Sequence, residues 1–149
     1  MIDDREAMQA ALAEARLAAE GGEVPIGAVM VYQGEIIARV QNCVIRHVDP
    51  TAHAEIIAMR TAAKALGNYR LAGCTLFVTL EPCAMCAGAM IHARIDRLVF
   101  AAADPKAGAC GSVLTVLNHP ELNHEMQVEQ GIAAEESAEL LRTFFRERR

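Results

Sequence analysis

The chain has 149 residues, of which 53 % are hydrophobic and 22 % are charged, and its formal net charge is −5. This length favours a single domain, 1–149, with a real hydrophobic core, and the acidic balance excludes a protein whose whole surface binds polyanions. The longest stretch without acidic or basic residues, 107–120, is too short for a membrane span. The N-terminal segment lacks the pattern of a signal peptide. We therefore expect a cytoplasmic protein with no membrane partner.

The predicted elements begin with a helix, continue with a hairpin, and then alternate between helices and strands. Apolar runs of strand length predict strands over 26–32, 35–40, 74–80, 97–103 and 125–129. Helices are predicted over 5–20, 50–66, 82–94, 112–117 and 134–148. Gln33-Gly34 predicts the hairpin turn, and Asp49-Pro50 predicts the cap and first residue of the second helix. This order is typical of an α/β fold, a three-layer α/β/α sandwich around a mixed sheet of about five strands.

Two thiols, Cys83 and Cys86, are predicted to lie where a buried strand passes into a helix. Positions i and i+3 share one face of a helix, so both sulfurs can reach one point. A helix N-terminus also lowers the pKa of a thiol. Thiolates in this position bind a metal or form a redox disulfide, and the two cysteines alone leave both interpretations open.

His53 and Glu55 favour a metal site over a redox disulfide. A zinc ion with three protein ligands keeps an open position for a water molecule, whose pKa then falls toward about 7. The residues around Glu55 are almost wholly apolar, and a carboxyl group in such surroundings can shuttle protons at neutral pH. On residue type alone, however, a single histidine at a helix start is more often a cap. Residues i and i+2 also lie about 200° apart on a helix, so the spacing leaves open whether the two side chains converge.

His53-Ala54-Glu55 followed by Pro82-Cys83-Ala84-Met85-Cys86 resembles the signature of the zinc-dependent nucleobase deaminases, the cytidine and deoxycytidylate deaminase superfamily. Within that superfamily the chain is similar to the bacterial tRNA-specific adenosine deaminases over nearly its whole length. Matching segments include VPIGAV from Val24, DPTAHAE from Asp49, NYRL from Asn68, TLEPCAMCAGAMIHARI from Thr79 and FFRERR from Phe144. The resemblance implies a cytidine deaminase-like fold and one Zn²⁺ per subunit, held by His53, Cys83 and Cys86.

The resemblance also implies a reaction. A zinc-activated hydroxide attacks C6 of the wobble adenosine in a tRNA anticodon loop, Glu55 carries the protons, ammonia leaves, and inosine remains. Asn42 is implied to bind the base, and Val24, Pro25 and Ile26 to form a wall of its pocket. RNA contacts are implied for Asp104, Lys106, Phe145, Arg146, Arg148 and Arg149. The implied partners are an anticodon stem-loop, by family resemblance that of an arginine tRNA, and a second copy of the chain in a homodimer.

Other interpretations compete with these expectations. A deaminase of free guanine, cytosine or nucleosides would share the zinc chemistry, but it has no need of the arginine-rich C-terminal segment. A structural zinc module needs a fourth protein ligand, and a dithiol oxidoreductase leaves His53 and Glu55 without a role. On residue type alone, Asn42 is more typical of a turn. Val48 and Pro105 depart from the pattern of the family, which weakens the RNA affinity we expect.

Overall fold

The computed structural model describes residues 1–148 and forms them into helices and strands that alternate after an N-terminal hairpin. The helices are α1 (Asp4–Glu20), α2 (Ala54–Leu66), α3 (Ala84–Ala93) and α4 (Ala134–Arg146). The strands are β1 (Gly27–Tyr32), β2 (Glu35–Gln41), β3 (Cys74–Leu80), β4 (Arg97–Ala102) and β5 (Gln127–Gln130). Within residues 1–148, no helix is long and apolar enough to cross a membrane.

The strands form one mixed sheet in the order β2-β1-β3-β4-β5. β1 is antiparallel to both of its neighbours, whereas β3, β4 and β5 run parallel. Successive side chains of a strand point to opposite faces, so Leu76 and Val78 pack in the core cluster beneath α2 and α3. Phe77 packs in a second cluster with α1, on the face that α4 also covers. The predicted α/β/α sandwich with five strands is therefore confirmed.

The hairpin between β1 and β2 turns at the predicted residues. Gln33 and Gly34 have φ values of 50° and 79°, and left-handed conformations at both central residues are characteristic of a type I′ turn, whose twist matches that of the strands. At the other predicted stop, Gly67 ends α2 in a left-handed conformation with φ 64°. Both turns were predictable because local backbone chemistry determines them.

The second helix starts later than predicted. Asp49 does not cap it, because the Asp49 carboxylate accepts hydrogen bonds from the backbone N–H and the hydroxyl of Thr51, both at 2.8 Å, and closes a local turn. The helix begins at Ala54, whose N–H donates to the side-chain oxygen of Asn42 at 3.0 Å. His53 is thus the N-cap of α2, in an extended conformation, rather than a residue inside the helix.

The helix predicted over 112–117 is also wrong. This part of the chain is irregular, and one isolated bridge pairs Cys110 with Thr115. The N–H and hydroxyl of Ser112 both donate to the carboxylate of Glu81, which lies at the end of β3. The Ser112 N–H therefore bonds to Glu81, a residue distant in the sequence, instead of making a hydrogen bond within a helix.

We expect Gly27→Ala to lower the free energy of unfolding by about 2–3 kcal/mol, since overpacked sites force backbone shifts of that cost. α1 crosses β1 at Gly27, where a Cβ atom would collide with the Ala11 carbonyl oxygen and lie 2.6 Å from the Ala15 nitrogen. Gly21→Ala is the matched control, because its Cβ atom would lie 3.6 Å from the Ala18 oxygen. Chemical denaturation should show that the free energy of unfolding of Gly21→Ala equals that of the wild type. Equal stability of the two variants would show that α1 does not pack this closely.

Candidate active site

Three metal-binding side chains meet where the N-termini of α2 and α3 lie side by side. His53 caps α2 and Cys83 caps α3, both in extended backbone conformations, and Cys86 lies in the first turn of α3. The Nδ1 atom of His53 is 3.6 Å from the Cys83 sulfur and 3.5 Å from the Cys86 sulfur. All three donor atoms lie within 4.8 Å of one another. The structure therefore brings together the three residues that the sequence singled out for a metal.

The spacing of these donors fits zinc. In a tetrahedral site with Zn–S bonds of about 2.3 Å and Zn–N bonds of about 2.0–2.1 Å, a sulfur and a nitrogen ligand lie about 3.6 Å apart. Among the described residues no fourth histidine, cysteine or acid joins the group. Two thiolates and a neutral imidazole would balance the charge of the ion and leave one position open, which is the pattern of a catalytic rather than a structural centre.

The two thiols are electrostatically unequal. A hydrogen bond from Cys86, followed in strength by one from His53, lowers the pKa of Cys83 to about 3. The pairing with Cys83, together with burial and the nearby charge of Glu55, raises the pKa of Cys86 above its ordinary value. The hydrogen bond with Cys83 raises the pKa of His53. Cys83 is therefore the more readily ionised of the two thiols, which suits a metal ligand.

Glu55 lies against this group, and burial dominates its chemistry. The residue is only 4 % exposed, and burial raises the pKa of its carboxyl group to about 7, despite the opposing positive charge of His53. Its proximity to His53 follows from the late start of α2. His53 has φ −69° and ψ 151°, so its side chain does not follow the 200° offset that a helical residue at this spacing would have.

Asn42 connects the metal-binding group to the proposed pocket wall. Its side chain is buried, and its Oδ1 atom is engaged by the Ala54 N–H, which leaves the amide NH₂ group as the donor for a ligand. The backbone N–H of Asn42 donates to the Ile26 carbonyl oxygen at 3.0 Å. Asn42 therefore joins the start of α2 to the segment 24–26.

A groove of about 910 Å³ lies beside this segment. Six of the residues proposed as substrate contacts line it, namely Val24, Ile26, Asp104, Lys106, Phe145 and Arg146. Pro25 is buried between its two neighbours. The metal donors themselves do not line the groove. Two hydrogen bonds connect it to them: the Asn42 N–H donates to the Ile26 carbonyl oxygen, and the Ala54 N–H, next to His53, donates to the Asn42 side chain. The segment 24–26, the loop after β4 and the end of α4 thus share one surface.

The C-terminal residues divide between two faces of α4. Phe144 is 6 % exposed and packs in the interior, whereas Phe145 is 49 % exposed at the groove, as predicted from their 100° offset. Arg148 follows the end of α4 and lies over the Phe144 ring rather than in the groove, with its guanidinium carbon 3.7 Å from the centre of that ring. The structure therefore does not bring Arg148 to the groove, and Arg149 lies outside the described residues.

Three residues at or near the site, Leu141, Arg142 and Glu81, were not predicted from the sequence. Leu141 and Arg142 line the groove one helical turn before Phe145 and Arg146, and the helical repeat of α4 could have revealed them. Glu81 is 3 % exposed. Burial raises its pKa, but hydrogen bonds from Ser112 and from backbone N–H groups outweigh that effect and hold the pKa below its usual value. An acid between an apolar strand and Pro82 is the same signal that singled out Glu55.

The chain is similar to known deaminases in both sequence and fold. The family model of MafB19-like deaminases matches residues 2–149. A tRNA-specific adenosine deaminase of Bacillus subtilis (strain 168) is 48 % identical over 149 residues, which cover all of this chain and 92 % of that protein. A solved structure from work on A-to-I editing by tRNA:A34 deaminases superimposes with a TM-score of 0.88 at 51 % identity, over 91 % of this chain and 98 % of the other. A guanine deaminase from Bacillus subtilis gives a TM-score of 0.69 at 40 % identity, over 74 % and 71 %.

Proposed function

This chain belongs to the MafB19-like deaminases, together with the tRNA-specific adenosine deaminases that it matches over its full length, and we propose that it converts the wobble adenosine of a tRNA anticodon loop to inosine. The observation that carries the proposal is the position of Glu55, a buried acid beside a three-donor metal-binding group. We further propose that the chain acts as one domain, in the cytoplasm.

His53, Cys83 and Cys86 would hold one Zn²⁺, because their donor atoms are already spaced for it. Zinc, when bound, would polarise a water molecule and lower its pKa toward neutrality. Glu55 would carry one proton from that water to the ring nitrogen of the purine. It would then carry a second proton, from the hydroxyl group added at C6, to the amino group, which leaves as ammonia. Burial favours the protonated form of this carboxyl group, which suits the steps in which Glu55 donates a proton.

The remaining residues would bind the substrate. Asn42 would donate its amide hydrogens to an acceptor on the flipped-out base, and the segment 24–26 would flank that base. Phe145 would stack on a nucleobase, while Lys106 and Arg146 would contact phosphates. Lys106 and Arg146 both line this groove, and two cations there suit a phosphate-bearing substrate better than a free purine.

The first test is product analysis with the purified, zinc-loaded protein. It is incubated separately with an anticodon stem-loop carrying a wobble adenosine, with the same stem-loop carrying its adenosine one position away, with free adenosine and with guanine. We expect inosine only in the first RNA. Conversion of guanine to xanthine with an untouched stem-loop would overturn the proposal and favour the second candidate, a guanine deaminase, which the structural similarity to that enzyme supports.

Arg146→Ala is expected to weaken stem-loop binding and to reduce the slope of log K against log salt by about one, because one phosphate contact is lost. Arg148→Ala is the matched comparison, since it removes the same charge from a residue that lies over the Phe144 ring and does not line the groove. Its slope should change by less than half as much. Binding titrations at several salt concentrations give the slope for each variant. An equal change of slope in Arg146→Ala and Arg148→Ala would show that the RNA contacts both arginines and is not confined to the groove.

We also propose a homodimer and, by family resemblance, an arginine tRNA as the substrate. A mostly apolar groove between α2 and α3 is lined by residues that include Ile56, Met59, Leu71, Ala89 and Tyr69, and Tyr69 is 74 % exposed. A second copy could cover these residues. Light scattering that gives a monomer at assay concentrations would contradict the dimer, and deamination of other adenosine-carrying anticodon loops at equal rates would contradict the choice of tRNA.

A further inference from the structure

We propose that Glu81 is a positioning residue, which holds the loop 103–112 in the shape needed to bind substrate and fixes that loop to the start of α3. The inference rests on the proposed function, because it concerns how the groove is kept open beside the metal-binding group. Glu81 itself does not line the groove. It would act through Asp104 and Lys106, which do.

The carboxylate of Glu81 binds both ends of the loop. Its Oε1 atom accepts a hydrogen bond from the Asp104 N–H at 3.0 Å and one from the Ser112 hydroxyl. Its Oε2 atom accepts from the N–H groups of Cys110 and Ser112, at 2.9 and 3.1 Å. A carboxylate offers about four acceptor sites, so all of them are used here. One buried side chain therefore closes the loop on itself.

The loop is shaped around this carboxylate. A Cβ atom on Gly108 would collide with the carboxyl group of Glu81 and lie 2.6 Å from the Asp104 carbonyl oxygen. The Gly108 N–H in turn donates to that carbonyl at 3.0 Å. The loop also fixes the side chain of Asp104, whose Oδ1 atom accepts from the Lys106 N–H at 3.0 Å.

The same residue connects the loop to the metal-binding group. Glu81 precedes Pro82 and Cys83, and its own N–H donates to the Ala102 carbonyl at the end of β4, at 2.9 Å. The Ala109 N–H donates to the Pro82 carbonyl, also at 2.9 Å. The loop is thus bonded to the two residues directly before Cys83. Catalysis depends on sub-ångström placement of substrate against the reacting groups, so a rigid connection of this kind is valuable.

Glu81→Gln tests the inference with minimal change of shape. Whichever way the amide is turned, its NH₂ group replaces an oxygen that now accepts two hydrogen bonds. The Ser112 hydroxyl can reverse and accept, whereas a backbone N–H cannot. The amide nitrogen should therefore face Ser112 Oγ, which leaves the Asp104 N–H without its acceptor. The substitution loosens the loop at the residue that lines the groove.

We expect Glu81→Gln to raise KM for the stem-loop about tenfold, with kcat lowered less than about threefold, since loss of ground-state and transition-state binding together raises KM alone. Zinc content should stay equal to that of the wild type. Hydrogen exchange of the peptide 103–112 should become faster, while peptides of α3 keep their protection. A merely structural role would lower the melting temperature without separating KM from kcat.

Two further variants keep the test decisive. Ser112→Ala removes only one of the four hydrogen bonds and should raise KM in the same direction by a smaller factor, even if Glu81→Gln does not fold. Asn118→Ala is the stability control: its amide binds both the N–H and the carbonyl of Met126, each at 2.8 Å, and lies outside the groove. It should lower the melting temperature and leave KM unchanged.

The outcomes separate the two proposals. Absence of inosine with the wild-type protein overturns the proposed function. Turnover by the wild type with an unchanged KM in both Glu81→Gln and Ser112→Ala overturns the positioning role alone. A KM increase in Asn118→Ala equal to that in Ser112→Ala would also overturn it, because general destabilisation would then explain the effect.

Discussion

Glu55→Gln is expected to abolish deamination, with kcat lowered by at least about 10³-fold, while zinc content and fold are kept. Acid–base catalysis by one positioned side chain typically contributes 10²–10⁴-fold, and here the same carboxyl group would serve several proton transfers. The amide has nearly the same shape as the acid, and it removes an ionisable group from a site where burial raises the pKa to about 7. Single-turnover rates, with zinc measured on the same sample, give the result.

Two observations make this prediction specific. Glu55 is not part of the donor group of His53, Cys83 and Cys86, so loss of zinc in Glu55→Gln would contradict the assignment of Glu55 as a proton carrier. Stem-loop binding should remain close to that of the wild type, because Glu55 is buried and does not line the groove. Retained turnover would refute the assigned role directly.

Cys86→Ala is expected to lose zinc and, with it, all activity. The variant removes one of three donors, and even loss of an outer partner of a metal ligand lowers metal affinity about 10–100-fold, so a larger loss is expected here. Metal binding also stabilises the folded state. The melting temperature of Cys86→Ala should therefore no longer rise when zinc is added. Metal analysis of the purified protein and melting curves with and without zinc measure both effects.

Cys74→Ala provides the matched control. Cys74 is also a buried cysteine next to the central core, but it does not belong to the donor group. Its replacement should cost some stability and leave about one zinc per chain, as one three-donor site predicts. If Cys74→Ala lost zinc to the same extent as Cys86→Ala, general disruption of the core, rather than loss of a ligand, would explain both results.

The N-termini of α2 and α3 meet at the metal-binding group. His53 and Cys83 occupy equivalent positions, each the cap of its helix and each in an extended conformation. A helix N-terminus favours negative charge, which suits both the Cys83 thiolate and a buried carboxylate such as Glu55. The backbone at the start of α2 therefore opposes the effect of burial on the Glu55 carboxyl group without outweighing it.

Much of this could be predicted from the sequence, because residue chemistry and spacing are local. Gln33-Gly34 predicted the hairpin turn, and apolar runs predicted the strands of the sheet. The 100° offset of adjacent helical residues predicted that one of Phe144 and Phe145 would be buried and the other exposed. The residue types at His53, Cys83 and Cys86 likewise indicated a metal, because imidazole and thiolate are the ligands that zinc prefers.

Tertiary structure decided the rest. Asp49-Pro50 has the local pattern of a helix start, yet α2 begins at Ala54, because the Asn42 side chain from a distant strand end receives its first N–H. That shift leaves His53 outside the helix and lets it converge with Glu55. Arg146 and Arg148 look equivalent along the chain, but Arg146 lines the groove, whereas Arg148 packs over the Phe144 ring. Glu81 acquires its role only when a loop 23 to 31 residues further along donates to it. The sequence thus determined which chemical groups are present, whereas long-range hydrogen bonds and packing determined which of them meet, because neither is expressed in local spacing.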